Sequence, residues 1–363
     1  MNEKELTCLR RKLLEYFEDL GFKINPHLHP KKNSKNFLRK LHEYRRHEQL
    51  KNNYGFLTEA KKCVKKYYIN KKIHPEKIEL ELKFVDEIDS EEYILFKWWN
   101  IVWWSLPYEK SVGRIIRYML YDTHHDLPFG LVVLQSPILR CKARDEYLGI
   151  GYEDRDYWIN QSLYAQRVGA LPPYNKILGG KLVAMSLCSK EIRDKYFKKY
   201  NGKKTTKKKI EIPARLLFIS TLSAFGRSEM YENLNYNGNN LSIFVGYTKG
   251  AGTFHIPDDI YRQLLSLLGE DVDTSAFVSP SRKIKLIAKS LRILGLNNFE
   301  YHNIKRGIYL FPHAKNLREI IMERKKPEWY NFDFASLFEY WQNKICKKDR
   351  LEINWRKISN IIK

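Results

Sequence analysis

The sequence predicts an α+β protein with a central mixed β-sheet, flanking helices and helical extensions at both ends. Apolar residues recur at helical spacing near both ends of the chain, whereas the middle alternates short strand-like runs with tight connections. Of the 363 residues, 43% are hydrophobic, so the chain can bury a sizeable core. We expect a basic helical N-terminal region at 1–75, an α/β core at 76–258 and a mainly helical C-terminal region at 259–363.

The first region is expected to be helical. Residues 4–20 place leucines and Phe17 at helical spacing, and Gly21 ends the pattern. A second helix is predicted at 34–52, with apolar residues on one side and basic residues on the other. The segment 77–85, KIELELKFV, alternates apolar and charged residues, which is typical of a half-buried strand.

Four tryptophans, at 98, 99, 103 and 104, follow in the segment EEYILFKWWNIVWWSLP. Their spacing suits a helix that buries its aromatic side chains, and core packing is the interpretation we favour. An exposed tryptophan would instead favour stacking on nucleotide bases.

The middle of the chain is expected to be mixed α and β. IIRYMLYD and FGLVVLQSP predict a hairpin, SLYAQRVGALPP a further strand, and GGKLVAMSLCSKEIRDKYFKKY a helix. The next predicted elements are a buried strand in ARLLFISTLSAF, a short helix in GRSEMYENL and a glycine-broken strand in LSIFVGYTKGAGTFHI. Helices are predicted after residue 258 in IYRQLLSLL, IKLIAKSLRILG and FASLFEYWQNKI.

The chain is strongly basic, with 65 Lys and Arg against 42 Asp and Glu and a net charge of +23. Such a charge attracts polyanions, so nucleic acid is the first partner to expect, and a solvated basic surface is the plain alternative. The densest run, KKYNGKKTTKKKIEIP, could contact phosphates or lie in a solvated loop. It includes Lys203, Lys204, Lys207, Lys208 and Lys209.

The sequence also indicates a compartment. The five cysteines form no CxxC pair and no disulfide pattern. No window approaches the roughly 18 apolar residues of a membrane span, and the first residues lack a signal-peptide pattern. We expect a cytoplasmic protein without a membrane partner.

Two groups of residues in the sequence are of types that can bind metal ions. The histidine pairs in PHLHP and THHDLP lack a third ligand at short spacing, so no metal site is predicted there. Carboxylates from Asp145 onward could assemble a magnesium site for phosphodiester chemistry, while Arg144 beside Asp145 indicates a structural ion pair just as readily. These carboxylates are Asp145, Glu146, Glu153, Asp154 and Asp156.

A turn in STLSAFGRSEMYENL could form part of a site. Gly226 permits a sharp turn after a buried strand. The next helix would open with Arg227, Ser228 and Tyr231, on the side where anions are stabilised. Alternatively, Ser228 only caps that helix and Tyr231 packs into the core.

Two glycine-containing loops could face a phosphate. GYTKGAGTFHI matches neither GxGxxG nor GxxxxGK[ST], so a phosphate-cradling loop and a bulged strand both stay open. LPPYNKILGGKLVAM places a glycine pair ahead of a helix, where it could cradle a phosphate or form a tight turn. The residues concerned are Lys249, Gly250 and Gly252 in the first loop and Gly179, Gly180 and Lys181 in the second.

Five segments carry a resemblance to a known family. They are RDEYLGIG (144–151), VGALPPYNKILGGKLVAM (168–185), TLSAFGRSEMYENL (221–234), GYTKGAGTF (246–254) and HNIKRGIYLFPHAKNLREII (302–321). In this order they resemble the DruA family of the Druantia anti-phage defence system, whose related domains also occur beside transposases and in phage genomes. The segments 34–50 and 104–122 are also similar to the family, so the resemblance covers nearly the whole chain.

The resemblance implies a nucleic-acid-binding, DNA-processing component of anti-phage defence or of a related mobile element. Its implied partners are nucleic acid, with DNA expected over RNA, and helicase-like or other defence proteins. The expected catalytic residues are Asp145, Arg227, Ser228 and Tyr231, gathered around one cleft. The expected nucleic-acid-binding residues are Arg144, Lys181, Lys203, Lys204, Lys207, Lys208, Lys209, Lys249 and Arg306, with loop glycines Gly179, Gly180, Gly226, Gly250 and Gly252.

A second resemblance predicts a different function. The order of strand, LGGK turn and helix, followed by strand, YENL helix and strand, is similar to the acyl-CoA-binding half of GNAT acetyltransferases. Their glycine loop presents backbone amides to pyrophosphate, whereas KILGGK (176–181) misses the consensus. The alternatives are therefore an acyl-CoA-dependent acyltransferase on a GNAT-like fold and a non-catalytic scaffold for defence partners. No cofactor is evident, and acyl-CoA and a divalent metal both stay open.

Overall fold

The computed structural model of the protein describes residues 3–68, 73–104, 106, 110–205, 209–269 and 280–347. The helices are α1 (Glu3–Leu20), α2 (Lys35–Leu41), α3 (Glu43–Asn52), α4 (Tyr54–Tyr68), α5 (Glu91–Val102), α6 (Lys142–Leu148), α7 (Arg155–Ile159), α8 (Gly179–Met185), α9 (Lys190–Tyr200), α10 (Asp258–Ser266), α11 (Pro280–Ile293), α12 (Leu317–Glu323) and α13 (Phe334–Lys344). The strands are β1 (Phe22–Ile24), β2 (Leu28–Pro30), β3 (Leu80–Phe84), β4 (Ile116–Asp122), β5 (Leu127–Gln135), β6 (Ser162–Ala170), β7 (Phe218–Leu222), β8 (Asn235–Tyr236), β9 (Asn239–Asn240), β10 (Ile243–Tyr247) and β11 (Gly307–Pro312).

Seven strands form one mixed sheet in the order β10-β11-β7-β6-β5-β4-β3. Strands β6 and β7 run parallel, and the other neighbouring pairs run antiparallel. The predicted hairpin of β4 and β5 is confirmed, with Tyr118 opposite Val132. Both strands are apolar on both faces because helices cover the sheet on both sides. The α+β class with a central mixed sheet is therefore confirmed.

Strand β11 is a strand of the central sheet that the sequence did not predict. It lies between β10 and β7, and all of its residues are buried. Its short apolar run follows the polar segment HNIKR and ends at Pro312, so no local pattern distinguishes it from a loop. The region predicted to be mainly helical thus supplies an interior strand to the sheet. The division of the chain into three regions stays a prediction.

The tryptophan-rich helix α5 is anchored on the sheet by its aromatic residues. Trp98 and Trp99 are 3% and 0% exposed, which confirms core packing for this pair. Trp103 Nε1 donates a hydrogen bond to the carbonyl oxygen of Ala170 at 3.1 Å. Trp104 packs on β6 at Gly169, where an added Cβ would lie 2.8 Å from its ring. Helix α5 is therefore held against β6 by these rings.

Helices α5 and α8 cover opposite faces of the sheet. Val132 and Val133 are neighbours on β5 and lie opposite Tyr118 and Arg167, respectively. The Tyr118 hydroxyl hydrogen-bonds to the residue that follows α8, whereas the Arg167 guanidinium reaches a side chain of α5. Because successive strand residues point to opposite faces, the two helices lie on different sides.

A second core lies outside the sheet and joins the first helices of the chain to two helices from its later part. There α1 and α2 pack against α10 and α11. Leu13, Phe17, Leu264, Ile287 and Leu291 are fully buried in this core. Two helices of the predicted N-terminal region and two of the predicted C-terminal region therefore share one core.

Two predicted helices are each divided in two. The helix expected at 34–52 breaks at His42, whose backbone N–H donates to the carbonyl of Arg39 and ends α2. The helix expected from Gly179 is α8 followed by α9, with Ser189 in an extended conformation between them. His42 and Ser189 are both buried, so tertiary packing decides where these helices end.

The prediction of a short helix in GRSEMYENL is wrong, because residues 229–233 form turns. Gly226 and Asn233 flank the segment with φ angles of 55° and 54°, which a right-handed helix does not contain. The N–H of Ser228 donates to the hydroxyl of Tyr309 on β11 at 3.0 Å. Ser228 therefore caps no helix, and the expected helix N-terminus for an anion does not form.

Three buried histidines surround Phe254 in the second core. The His42 ring stacks on Phe254 with 3.9 Å between ring centroids, and the His255 and His302 rings lie 5.5 Å apart. Burial lowers the pKa of His42 and of His255 to about 4 and that of His302 to about 2. All three rings are therefore neutral at pH 7.

Acidification is expected to destabilise the protein through these histidines. The unfolded chain protonates them below the ordinary pKa of 6.5, whereas folded His42 stays neutral down to about pH 4. The contribution to stability is thus complete above pH 6.5 and is lost as the pH falls towards 4. Each histidine should cost up to about 1.4 kcal/mol per pH unit in this window.

Urea unfolding at pH 7, 6 and 5 measures this loss. His42→Phe keeps a ring against Phe254 but removes one protonation site, so its pH dependence should be weaker by about one proton. His29→Ala, which changes an exposed histidine outside this group, is the matched control. Equal pH dependence in the parent protein and His42→Phe would contradict the assignment.

Candidate nucleic-acid interface

Three of the segments that carry the family resemblance meet at one edge of the sheet. They are the end of β7 at Ser223, the end of β10 at Thr248 and the residue before β11, Arg306. The Thr248 N–H donates to the Arg306 carbonyl at 2.9 Å, and the Arg306 N–H donates to the Thr248 hydroxyl at 3.1 Å. The Ser223 hydroxyl accepts from the N–H of Gly307 at 2.8 Å. We call Ser223, Gly226, Thr248 and Arg306 the strand-end junction.

Arg306 is the charged residue of the strand-end junction. Its Nε donates to the carbonyl oxygen of Ser223 at 2.6 Å, which fixes the half-buried side chain. Within the described ranges, its two terminal nitrogens have no hydrogen-bond partner. Two exposed lysines adjoin the junction in sequence, Lys249 after Thr248 and Lys305 before Arg306. The junction and its two neighbouring lysines therefore supply one oriented guanidinium and two exposed amines, a combination that suits phosphate.

The glycines of the junction serve backbone geometry. Gly226 has a positive φ. Its N–H donates to the carbonyl oxygen of Lys305, and its carbonyl oxygen accepts from the N–H of Gly307. Gly250 also has a positive φ, of 74°, and an added Cβ would lie 2.9 Å from the Cα of Asn303. At Gly252 an added Cβ would lie 3.0 Å from the His302 ring. These residues let three chain segments approach each other closely, and their role towards a phosphate stays a prediction.

A second polar cluster centres on the carboxylate of Glu232. Arg227 Nε donates to it at 2.9 Å, and the hydroxyl of Tyr309 donates to the same carboxylate at 2.5 Å. The hydrogen bond from Arg227 holds the pKa of Glu232 below its ordinary value. Lys181 Nζ donates to the backbone carbonyl of Glu232 at 2.8 Å, and partial burial lowers its pKa. Lys181 and Arg227 are thus already engaged within the protein.

Tyr231 is a core residue beside this cluster. Its ring is 5% exposed and packs 5.0 Å from the Tyr309 ring and 5.7 Å from that of Phe311, measured between centroids. Burial raises the pKa of its hydroxyl above the ordinary value of 10.0. These contacts favour the interpretation in which Tyr231 packs, and its proposed catalytic role stays a prediction.

Arg144 and Asp145 form a buried ion pair. The guanidinium donates twice to Asp145 Oδ1, from Nε at 2.9 Å and from a terminal nitrogen at 2.7 Å. Arg144 also donates to the carbonyl oxygens of Ile138 and Leu139, and its side chain is 1% exposed. Arg155 Nε lies 3.3 Å from Asp145 Oδ2. The sequence did not predict Arg155 as a partner, although it follows Asp145 by ten residues in the same acidic segment.

A shallow hollow of about 460 Å³ lies beside this ion pair. Its charged walls are contributed by Arg140, Lys142, Asp145, Glu146 and Arg155. Both carboxylate oxygens of Asp145 are engaged by arginines, which supports a structural role for Asp145. In the part of the chain that the structure describes, no group of three or more His, Cys, Asp or Glu is placed to hold a metal ion.

The Arg144 and Asp145 pair lies on one face of the sheet, and the Glu232 cluster with Lys181 and Arg227 lies on the other. The prediction that these residues gather around a single cleft is therefore wrong. Tyr309 and Leu310 are neighbours on β11. Tyr309 donates a hydrogen bond to Glu232 and so belongs to the Glu232 cluster. Leu310 packs instead in the apolar cluster that contains Leu148 of α6. Because neighbouring strand residues point to opposite faces, the sheet separates Arg144 and Asp145 from the Glu232 cluster.

The glycine pair of LPPYNKILGGKLVAM is part of a packed turn. Gly179 is buried, and an added Cβ would lie 2.6 Å from the Tyr174 carbonyl oxygen and 2.8 Å from the Phe129 ring. Leu178 has a φ of 62°, and its carbonyl oxygen accepts a hydrogen bond from Trp341 Nε1 at 3.1 Å. The contacts favour a tight turn over an open cradle. A GNAT-like scaffold and acyl-CoA binding are not confirmed.

The lysine-rich loop is only partly described. Lys203, Lys204 and Lys209 are exposed, and Lys204 pairs through its backbone with Glu211. Lys207 and Lys208 lie outside the described residues. Phosphate contact by this loop therefore stays a prediction.

None of the helices that the structure describes combines the length and apolar character needed to span a membrane. The fold and the junction instead define a basic α+β protein whose sheet edge gathers arginine- and glycine-containing loops.

The comparisons with known proteins agree with the resemblance seen in the sequence. The family model described as Druantia protein DruA matches residues 32–323. A protein of Escherichia coli (strain UMEA 4076-1) named Druantia protein DruA is 32% identical over 331 residues, which cover 87% of this chain and 80% of that protein. No solved structure matches. This chain therefore belongs to the DruA family.

Replacing Asp145 tests whether its role is structural. Asp145→Asn leaves the buried Arg144 guanidinium without its counter-charge, so we expect a loss of about 3–5 kcal/mol in the free energy of unfolding. Glu146→Gln changes the exposed neighbour, whose pair with Lys142 is solvated, and should cost less than about 1 kcal/mol. Urea unfolding measures both values. An Asp145→Asn protein as stable as the parent would contradict the structural role and revive a catalytic one.

The two adjacent glycines offer a second test. Gly179→Ala should destabilise the protein by about 1–3 kcal/mol, because the new methyl group meets a backbone carbonyl and a buried ring. Gly180→Ala meets only the flexible side chain of Met230, and we expect little change. Thermal unfolding of both variants gives the comparison, and equal melting temperatures would argue against a packed turn.

Proposed function

We propose that this protein acts in anti-phage defence as the DruA-type component of a Druantia system, and that it does so by binding nucleic acid, with DNA favoured over RNA. Membership of the DruA family supports the defence role. The observation that carries the binding role is the strand-end junction, where Ser223 orients Arg306, its two terminal guanidinium nitrogens have no partner among the described residues, and the sequence neighbours Lys249 and Lys305 are exposed.

The proposal is for binding rather than for a catalytic step. Asp145 is engaged by two arginines, Arg227 is paired with Glu232 and Tyr231 is buried. These contacts support structural roles for three of the four residues expected to be catalytic. Arg306, by contrast, is oriented by Ser223 and free at its outer edge, which is the arrangement that recognises a phosphate oxygen.

A net charge of +23 supports the same partner. Contacts with phosphates release condensed counterions, so a protein with this charge gains affinity for nucleic acid at low salt regardless of sequence. We further propose a cytoplasmic location and helicase-like or other defence proteins as partners. A large helicase-like protein encoded beside this one would support the defence role.

Removing the two lysines of the junction should weaken binding to duplex DNA. Lys249→Ala with Lys305→Ala leaves the Arg306 backbone contacts in place, so the fold should be retained. We expect a loss of about tenfold in affinity at 50–100 mM salt. The slope of log affinity against log salt should fall by about 0.9 for each phosphate contact removed. Filter binding at increasing salt measures both.

The matched control is Lys77→Ala with Lys344→Ala, which removes the same charge from exposed positions away from the junction. Lys77 precedes β3, at the opposite edge of the sheet from β10. This control should bind within about twofold of the parent. If the parent protein binds neither DNA nor RNA at low salt, the binding function is wrong.

A further inference from the structure

Helix α11 carries the most one-sided charge of the helices described. Its sequence, PSRKIKLIAKSLRI, contains five basic residues and no acidic residue. Lys285, Lys289 and Arg292 are exposed, at spacings of four and three residues. Since positions three and four apart are neighbours on a helix surface, these side chains form one outward stripe. We call Lys285, Lys289 and Arg292 the α11 stripe.

The inner side of the same helix is committed to the second core. Leu286, Ile287 and Leu291 are buried, and the Ser290 hydroxyl donates to the carbonyl oxygen of Leu264 in α10 at 2.7 Å. Packing therefore fixes the rotation of α11 about its axis. The apolar side of α11 is buried and cannot insert into a membrane. In this respect α11 differs from an amphipathic helix that lies on a membrane surface.

The stripe lacks the acidic partners that other cations in this protein have. Lys283, two residues before Lys285, pairs with Asp258 at 3.3 Å, and Lys195 pairs with Asp86. Among the described residues, Lys285 and Lys289 have no carboxylate partner, and Arg292 donates only to the carbonyl of Ala288 in its own helix.

This arrangement is unfavourable for the isolated helix. Like charges at spacings of three and four residues destabilise a helix by a few tenths of a kcal/mol each. An external polyanion removes that repulsion. The stripe spans about 10 Å, at 1.5 Å per residue, and so matches a short run of phosphates along one strand of a duplex.

We propose that the α11 stripe is a second phosphate-contacting surface, which grips the backbone of duplex DNA without reading its sequence. This inference rests on the proposed nucleic-acid-binding function and adds to it a surface outside the strand-end junction. Lysine amines on a helix exterior contact phosphates as point charges, an arginine can hold a phosphate through two parallel N–H donors, and phosphate contacts carry no sequence information.

The test compares three variants of the full chain on a duplex of about 30 base pairs. Lys285→Ala with Lys289→Ala and Arg292→Ala removes the stripe and keeps a good helix former at each position. We expect the affinity to fall about ten- to a hundredfold at 50–100 mM salt. The salt slope should fall by about 2–3, to the same extent on unrelated DNA sequences.

Two controls separate the stripe from net charge. Lys77→Ala with Lys315→Ala and Lys344→Ala removes the same three charges from scattered exposed positions and should bind almost as the parent does. Lys285→Arg with Lys289→Arg keeps the charge and should retain affinity. Circular dichroism and thermal unfolding establish that each variant is folded. If the triple variant of α11 does not fold, Lys289→Ala alone, with an expected slope change of about 0.9, decides the same question.

Each outcome has a distinct meaning. Parent-like affinity and salt slope in the α11 variant, with weakened binding in the Lys249/Lys305 variant, would overturn the stripe and leave the proposed function standing. An equal loss in the scattered control would also overturn it, because net charge alone would then explain the effect. Stripe-dependent binding to anionic vesicles with unchanged DNA binding would assign the surface to a membrane instead. Failure of the parent protein to bind any nucleic acid would overturn both proposals.

Discussion

The insertion of β11 between β10 and β7 is the constraint on which the rest of the structure depends. It places Arg306, the residue before β11, beside Ser223 and Thr248, which lie more than fifty residues earlier in the chain. It also brings Tyr309 against the turn that follows β7, where its hydroxyl accepts the N–H of Ser228 and donates to Glu232. One strand thereby builds both the basic sheet edge and the polar cluster on the α8 face.

The basic residues of this protein divide into two kinds by their surroundings. Arg144 and Arg227 are held by Asp145 and Glu232, and these pairs stabilise turns and helix ends. Arg306 and the α11 stripe are instead fixed in position by backbone contacts or helix packing while their charges have no acidic partner. A cation that the protein positions without neutralising it is available to an external anion, whereas a paired cation must first lose its partner.

Local sequence patterns predict much of the fold, but they predict the contacts of the candidate site residues less well. The apolar spacing of α1 and α5 and the alternation in β3 predict those elements, since a helix or strand with one buried side requires that pattern. The residues of the turn after β7 suit the start of a helix, and the sequence therefore predicts a helix there. In the structure the N–H of Ser228 donates to the hydroxyl of Tyr309, and the segment forms turns. Arg144, Asp145 and Lys181 were recognised as residues of interest, but their partners are set by the tertiary structure.

The sequence by itself determined the α+β class, the DruA family and the basic character of the protein, because composition, periodicity and ordered motifs are properties of the chain alone. Only the tertiary structure decided which motifs meet. It placed β11 inside the sheet, separated the Asp145 and Glu232 clusters onto opposite faces and turned the α11 stripe outwards. The physical reason is that strand order and helix rotation depend on which apolar surfaces pack together across the whole chain, and residue spacing does not specify that choice.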